Sequence, residues 1–492
     1  MIRIFLMLIV GLGILLCSLS SIAAVPQFFL VQNSGWMQPY FSDKNANFSE
    51  IVARLVQMSC RGQNAPSVLA VFNQAKDPTD SPKTLYEGTC SAMPVQQLVA
   101  TMHAARLAGN PNVFANSDYR QALYRAITRY AKGQSAIIWM VTNNKNSPYN
   151  SQALSAHDAT FYQMLHDSPE VQKVVALPLV VNAQSSYFHS HGLIIFGIAY
   201  GQAAAAALQQ ILSDGLVRKY FGTRAALLKP LNVSAVRFDP TKVTGAASKV
   251  VIRHGILDID LPARDSVQRF NIYGHFINVF YPYSISYARP QAALLLSGKQ
   301  YLVPLTPNQL QDLAPGVPSA PVRLSFTVPP TPTWSLSTII GNDRTIPAVI
   351  DFSLRQQKLT ISPQFIKIID QILPDSPIPT IFQPDTRVSS SQTKIPIDII
   401  IHYPIWPLLV VLVLLALFLV GVAWLVYRMA IRGATGVKVR VDGKISTHRL
   451  ALRQTQKLRN SNGEVVGELS RGLFGYRVTK KSKDVNIELV KK

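Results

Sequence analysis

The segment QFFLVQNSGWM, Gln27–Met37, joins an uninterrupted apolar run to a polar loop that contains one glycine. An apolar run without alternation is typical of a parallel strand that is buried on both faces of a sheet. The run AIIWMV, Ala136–Val141, has the same character. Such runs alternate with stretches of helical spacing from Gln27 to about Leu216. This alternation predicts a doubly wound, Rossmann-like α/β domain over residues 25–216.

The elements of this domain follow from the same two patterns. Within Asp118–Tyr130, for example, apolar residues recur at helical spacing. The predicted strands are Gln27–Val31, Ser67–Phe72, Ala136–Val141, Val174–Val181 and Leu193–Ala199. The predicted helices are Phe48–Met58, Val95–Ala108, Asp118–Tyr130, Ala159–Leu165 and Gln202–Leu212.

Helical spacing fades after about Arg218, and short alternating runs separated by turn residues replace it. Short strands of this kind, at intervals of about ten residues, predict one or two all-β sandwich modules. If there are two modules, the first spans residues 217–315 and the second spans residues 316–403. The stretch Pro363–Leu373 is helical in pattern and fits a crossover helix.

The first 24 residues have the pattern of a secretory signal peptide. Arg3 precedes an apolar run, Ile4–Leu19, and small residues follow it. Cleavage after Ala23 would place Ser21 and Ala23 at the two positions of a signal-peptide cleavage site that require small residues. A retained anchor and a lipoprotein modified at Cys17 are the alternatives.

A second apolar run, Leu408–Tyr427, has 20 residues and no charge. At 1.5 Å per residue it spans about 30 Å, the thickness of the hydrocarbon core. Tyr403 and Trp406 flank one end, and Trp424 and Tyr427 flank the other. Aromatic residues at both ends are typical of a membrane span. We expect one transmembrane helix over residues 404–428.

The charge of the chain is concentrated after this run. The net charge is +22, and the residues from Arg428 to Lys492 contribute +11 of it. Positive charge beside a span indicates the cytoplasmic side, which places residues 25–403 outside the cytoplasm. The tail would then attract anionic membrane lipids. Nucleic-acid binding is disfavoured, because few aromatic residues lie among the basic ones.

The tail, residues 429–492, is expected to form a small β-rich module. Val437–Val441 and Glu464–Leu469 have strand character, and Asn462 and Gly463 form a turn signal. A disordered tail is the alternative.

The chain has three cysteines. After removal of a signal peptide only Cys60 and Cys90 remain, and an oxidising compartment favours one disulfide between them. Two buried free thiols are the alternative. Three cysteines without a CxxC pair exclude a disulfide scaffold and give no sign of structural zinc.

Three short stretches contain polar residues at the ends of predicted elements: Gln32–Met37 and Val141–Asn144 at strand ends, and Ser117–Leu123 at a helix start. In these stretches the sequence resembles the von Willebrand factor type A family. The family's first metal-site motif, D-x-S-x-S, follows the first strand, and here Ser34, Gly35 and Met37 match in frame. The stretch Ser117–Leu123 resembles the family's T-D-L-x-x-A-L helix start. Val141–Asn144 resembles the stretch with T-D-G that closes the site. The resemblance covers about residues 26–216.

The resemblance implies a degenerate form of the family's metal-ion-dependent adhesion site. Gln32 and Asn143 stand where carboxylates are expected, and Trp36 stands in place of a serine. Neutral amides do not offset the dehydration of a divalent cation, so we expect no metal and no cofactor. The expected partner-binding rim consists of Gln32, Ser34, Trp36, Ser117, Asp118 and Asn143. A working metal site and a domain that is only a scaffold are the alternatives.

A catalytic function has little support in the sequence. His189 and His191 would share one face of a strand and are the best candidates for a zinc site, but no third ligand is evident nearby. No G-x-S-x-G, H-E-x-x-H or Walker pattern occurs. We therefore expect that the protein is not an enzyme.

These observations together predict an exported, single-span protein of a bacterial inner membrane, with its N-terminal domains in the periplasm or outside the cell. Its expected partners are other envelope proteins in a complex. Whether the chain itself forms an oligomer stays open. A metal-dependent surface adhesion receptor is the alternative, and an envelope hydrolase is a weaker one.

Overall fold

The computed structural model of the chain describes residues 24–61, 64–74, 81–107, 109–145, 154–253, 255–331, 333–334, 343–374, 377–432, 436–472, 475–481 and 485–490. Residues 1–23, which hold most of the predicted signal peptide and its cleavage site, lie outside the described residues. The chain divides into two compact units. The first combines residues 1–261, 266–329 and 345–401, and the second combines 262–265, 330–344 and 402–492.

The N-terminal region is an α/β domain. Its strands are β1 (Gln27–Gln32), β2 (Pro66–Phe72), β3 (Lys83–Thr89), β4 (Arg106–Leu107), β5 (Asn110–Phe114), β6 (Ala136–Thr142), β7 (Val171–Gln184), β8 (His189–Tyr200) and β9 (Ala226–Lys229). Its helices are α1 (Gln38–Ser42), α2 (Phe48–Cys60), α3 (Val95–Ala100), α4 (Tyr119–Ala126), α5 (Leu154–Asp167), α6 (Gln202–Ser213) and α7 (Leu216–Phe221).

Seven of these strands form one mixed sheet in the order β3-β2-β1-β6-β8-β7-β9. Strand β1 pairs in parallel with β2 and β6, and the remaining pairs are antiparallel. The prediction of parallel strands is therefore wrong for Val174–Val181 and Leu193–Ala199, which lie in β7 and β8. Only residues 185–188 join these two strands, and a parallel pair needs a much longer crossover.

Helices cover both faces of the sheet. Apolar residues of α2, α6 and α7 pack on one face, and those of α4 and α5 pack on the other. Coverage on both sides explains why the strands have uninterrupted apolar sequences. The predicted helix Val95–Ala108 is wrong beyond Ala100, because Ala105 donates its backbone N–H to Asn33 O (2.7 Å) and the chain continues into the β4–β5 ribbon.

The disulfide predicted between Cys60 and Cys90 is present, with Cα atoms 5.7 Å apart. It links the end of α2 to the residue that follows β3.

Residues 236–402 form two further sheets. Their strands are β10 (Val236–Gly245), β11 (Lys249–Arg253), β12 (Ile256–Pro262), β13 (Gln268–Asn278), β14 (Tyr283–Leu296), β15 (Lys299–Val303), β16 (Leu305–Thr306), β17 (Leu310–Leu313), β18 (Val322–Val328), β19 (Asp343–Ile361) and β20 (Ser390–His402). One sheet has the order β10-β13-β18-β16. The other has the order β11-β12-β20-β19-β14-β15, with β17 paired to β14.

The two sheets pack face to face and form one sandwich. The ring of Phe352 on β19 lies 6.2 Å from that of Phe238 on β10 and 5.3 Å from that of Phe276 on β13. A boundary at residues 315–316 does not separate two modules. Strands after it pair with strands before it, as β18 does with β13 and β19 with β14. Strand pairing is a contact between distant residues, which local turn signals do not encode.

Helix α8 (Pro363–Ile372) confirms the helical pattern predicted there, but it belongs to the α/β domain. Phe365, Ile369 and Ile372 join the apolar core on the face covered by α4 and α5. Gly192 on β8 permits the approach, because an added Cβ would lie 2.6 Å from Ile372 Cγ2.

In the second unit, helix α9 (Trp406–Arg432) contains a segment, Trp406–Arg428, that is long and apolar enough to cross a membrane. The tail has strands where the two predicted runs lie, β21 (Val437–Val441) and β24 (Val465–Gly472), and four that the sequence did not predict, β22 (Lys444–His448), β23 (Thr455–Arg459), β25 (Gly475–Lys480) and β26 (Ile487–Val490). They pair as β22-β21-β26 and β23-β24-β25 around a shared apolar core.

Candidate functional site

The residues of the predicted site meet at one edge of the α/β sheet. Strands β1 and β6 are parallel neighbours, so their carboxyl ends bring Gln32 and Thr142 together. The loop before α4 supplies Ser117 and Asp118 at the same edge, since Ser117 Oγ donates to Lys145 O at 2.8 Å. Ligands of open sheets with parallel strands bind beyond the carboxyl ends of the strands, so a binding site is expected at this edge.

Gln32 is fully buried, and its amide is saturated with hydrogen bonds. Nε2 donates to Ser34 Oγ (2.7 Å) and to Lys145 O (3.2 Å). Oε1 accepts from the hydroxyls of Tyr119 (3.2 Å) and Thr142. The amide thus bridges the loops after β1 and β6 with all of its donors and acceptors in use.

The other predicted residues hold the same loops. Asn143 donates from Nδ2 to Trp36 O (2.8 Å) and accepts from the Lys145 N–H (3.2 Å). Asp118 is the N-cap of α4 and accepts from the Gln121 N–H at 2.9 Å. Each contact satisfies a backbone group that a loop or helix end would otherwise leave unpaired.

This set of donors does not fit a divalent cation. The hydroxyl of Ser34 and the carbonyl of Lys145 are oxygens that an ion could use, but the Gln32 amide donates to both. Asp118 supplies the one carboxylate of the set, and its Oδ1 accepts from the Gln121 N–H in the helix cap. A hard cation prefers several carboxylate or carbonyl oxygens as ligands. Here the side-chain amides of Gln32 and Asn143 donate N–H groups to the nearby oxygens instead.

Most of the predicted rim is inaccessible to a protein partner. Gln32, Ser34, Ser117 and Asn143 are buried, whereas Trp36 and Asp118 are partly exposed. Tyr40, also considered as a rim aromatic, belongs to the core. Its hydroxyl donates to Gly192 O (2.7 Å) and bonds Ser190 Oγ (2.8 Å), and burial raises its pKa.

An aromatic cluster surrounds Trp36 and reaches the surface. It consists of Trp36, Phe114, Tyr187 and Phe188, with Trp36 and Phe188 ring centres 4.9 Å apart and Phe114 and Tyr187 5.4 Å apart. Tyr187 is 62% exposed. Gly35 permits Phe114 to pack against the turn after β1, because an added Cβ would lie 2.4 Å from Phe114 Cβ.

Two cations lie on the faces of these rings. The guanidinium of Arg106 is 3.7 Å from the centre of Phe114, and Lys145 Nζ is 4.7 Å from the centre of Trp36. Both distances are those of cation–π contacts. Burial lowers the pKa of Lys145. The surface therefore combines flat apolar rings with positive charge.

Sequence reasoning missed Phe114, Tyr187, Phe188, Arg106 and Lys145 as site residues. The adjacent aromatics Tyr187 and Phe188 occupy the turn between β7 and β8. Two large aromatics in a turn are a signal of function that the sequence did contain. The contact of Phe114 with them depends on the β4–β5 ribbon, which has no strong sequence pattern.

His189 and His191 lie on β8 and are exposed, and His191 Nδ1 is 3.2 Å from Asn182 Oδ1. Among the described residues, no group of three His, Cys, Asp or Glu side chains could hold a metal ion.

The chain matches no family model and no curated protein. Among solved structures, one described as "Structure of the N-terminal domain of PorA" is similar over 32% of this chain and 97% of that chain, with 14% sequence identity and a TM-score of 0.12. A TM-score this low supports no inference about fold or function. The features of the chain that bear on function are the aromatic cluster and the hydrogen-bonded loops beneath it.

Proposed function

We propose that the chain is an exported, single-span membrane protein that binds another envelope protein through its aromatic cluster, without a metal ion. The observation that carries the proposal is the pairing of Trp36, Phe114, Tyr187 and Phe188 with the cations Arg106 and Lys145. Tryptophan, tyrosine and arginine are the residues that most often dominate the binding energy of protein interfaces.

The buried network beneath the cluster supports a rigid binding surface. Gln32, Ser117 and Asn143 hold the loops that present Trp36 and Lys145. A surface that is already ordered loses less conformational entropy on binding. In the type A family a cation bridges to an acidic group of the partner. We propose a degenerate member in which Arg106 and Lys145 supply the positive charge instead.

The remaining parts of the chain support a location at a membrane. Trp406–Arg428 would cross it, and the positive charge after the span would lie in the cytoplasm near anionic lipids.

Site-specific photo-crosslinking tests this proposal in the full chain. Tyr187 is replaced by benzoylphenylalanine, cells are irradiated, and membranes are solubilised for mass spectrometry. We expect one discrete adduct with an envelope protein, in equal yield with and without EDTA.

Tyr124 is the matched control, because it has the same 62% exposure and lies on α4. Benzoylphenylalanine at position 124 should give no such adduct. Equal adducts from both positions would contradict binding at the cluster. Loss of the adduct in EDTA would favour the metal-dependent receptor.

A further inference from the structure

A groove of about 780 Å³ lies in the first compact unit, where α7 and β9 meet the loops that precede β10 and β14. Valines form part of its surface. Val217 is buried there, whereas Val233 and Val279 are 53% and 45% exposed. The volume is that of a site for a drug-sized molecule, and such sites are usually apolar with a few polar groups.

The charged residues that line the groove are all cationic. They are Lys173, Arg218 and Arg224, and no aspartate or glutamate lines it among the described residues. Asp214 is close in sequence to the lining, but it is paired with Arg61 at 2.5 Å. The positive charge of the groove therefore lacks a counter-charge in the described part of the chain.

The cations differ in how they are held. Lys173 donates to Gln209 Oε1, a neutral partner, so its charge is not compensated. The guanidinium of Arg224 lies 4.5 Å from the ring centre of Tyr281, and its side chain is exposed. Arg218 is exposed on α7 and forms no ion pair with any described residue. Guanidinium groups bind planar oxyanions through paired hydrogen bonds.

We infer that this groove binds an organic anion. An apolar body would lie on Val217, Val233 and Val279, and a carboxylate or phosphate would pair with Arg218 and Arg224. Burial of the apolar body supplies affinity, and the two arginines select an oxyanion over a neutral molecule of the same shape.

A second cavity of about 270 Å³ extends the same chemistry. It shares Ser234 and Val279 with the groove, and its charged lining residues are Arg237 and Lys394. It too has no acidic lining residue among those described. A ligand with a longer apolar body would reach it past Val279.

The test uses the full chain in nanodiscs of zwitterionic lipid, with empty nanodiscs subtracted. The probes are 2-naphthoate and 2-naphthyl phosphate, with 2-naphthamide as the neutral analogue, and binding is followed by ligand-observed NMR. We expect saturable binding of at least one anion, at least tenfold tighter than that of the amide. The anion that binds more tightly identifies the head group as carboxylate or phosphate.

The variant Arg218→Gln with Arg224→Gln should weaken anion binding at least tenfold and leave the amide unchanged. Lys219→Gln is the matched control, since Lys219 lies beside Arg218 on α7 but does not line the groove. Val279→Asp places an acid on the apolar surface at an exposed position and should also abolish anion binding. Absence of saturable binding by both anions, or equal binding in the double variant and Lys219→Gln, would overturn the inference.

Discussion

Gln32 decides the character of the site at the scale of single residues. Its side chain is one methylene longer than the aspartate of the type A motif, and it ends in two N–H donors. Those donors reach Ser34 Oγ and Lys145 O, so the amide bridges two loops by itself. A neutral group that satisfies buried oxygens avoids the cost of leaving them unpaired.

The first prediction concerns divalent ions. Calorimetric titration of the full chain with Mg²⁺, Mn²⁺ or Ca²⁺ should show no saturable binding at millimolar ion, because the site offers a single carboxylate, that of Asp118. Saturable micromolar binding that disappears in Ser34→Ala with Ser117→Ala would refute the metal-free site.

The second prediction concerns Gln32→Glu. The new carboxyl cannot donate to Lys145 O when it is ionised, and it would be a buried negative charge. We expect the free energy of unfolding to fall by about 2–4 kcal/mol. Hydrogen exchange of β1 and β6 in urea would measure the change.

Gln202→Glu is the control for this substitution, because Gln202 is exposed in the first turn of α6. It should change stability by less than about 0.5 kcal/mol. Equal effects of the two substitutions would show that the Gln32 amide is not needed for the fold.

At the scale of elements, the disulfide constrains the edge of the α/β domain. Cys60 and Cys90 are separated by 30 positions. In the chain-entropy model, closing a loop of this length stabilises the fold by about 3–4 kcal/mol.

The third prediction is that reduction of the full chain lowers the stability of α2 and β3 by about this amount. Hydrogen exchange of α2 and β3 in urea would measure the change with and without reductant. The double variant Cys60→Ser with Cys90→Ser should not respond to reductant. Unchanged stability of the wild type under reductant would contradict the structural role of the bond.

The end of α5 depends on a lysine from another element. Lys229 Nζ on β9 donates to the carbonyls of Leu165 (3.1 Å), His166 (2.8 Å) and Ser168 (2.8 Å). The last carbonyls of a helix have no partner within it, so a cation there is favourable.

The fourth prediction is that Lys229→Met destabilises α5 by about 1–2 kcal/mol, because the apolar stem remains and the hydrogen bonds are lost. Lys367→Met, at an exposed position of α8, should have almost no effect. Hydrogen exchange at the end of α5 would separate the two variants, and similar protection in both would exclude the capping role.

At the scale of the whole molecule, the apolar helix and the charge that follows it determine the expected orientation. The fifth prediction is that a cysteine at position 480 in the tail does not react with a membrane-impermeant thiol reagent in intact cells. A cysteine at the exposed position 124, outside the aromatic cluster, should react. Labelling at position 480 before lysis would reverse the proposed topology.

Several features of the molecule follow from the sequence alone because their physical causes are local. Burial on both faces of a sheet is visible in runs such as Ala136–Val141, and membrane-spanning length is visible in Leu408–Tyr427. The turn at Asn462 and Gly463 and the amphipathic pattern of α8 are local for the same reason. The grouping of Gln32, Ser117 and Asn143 at one edge was implied by the resemblance to the type A family, whose motifs are local stretches at the ends of strands and helices.

Tertiary structure decided what depends on contacts between distant residues. The direction of β7 and β8, the pairing of β18 with β13, and the packing of α8 on the α/β sheet are all of this kind. The same holds for the aromatic cluster, whose four rings come from three separate segments of the chain. The local sequence pattern indicates which face of an element is apolar. Which other element packs on that face depends on the free energy of packing the whole chain.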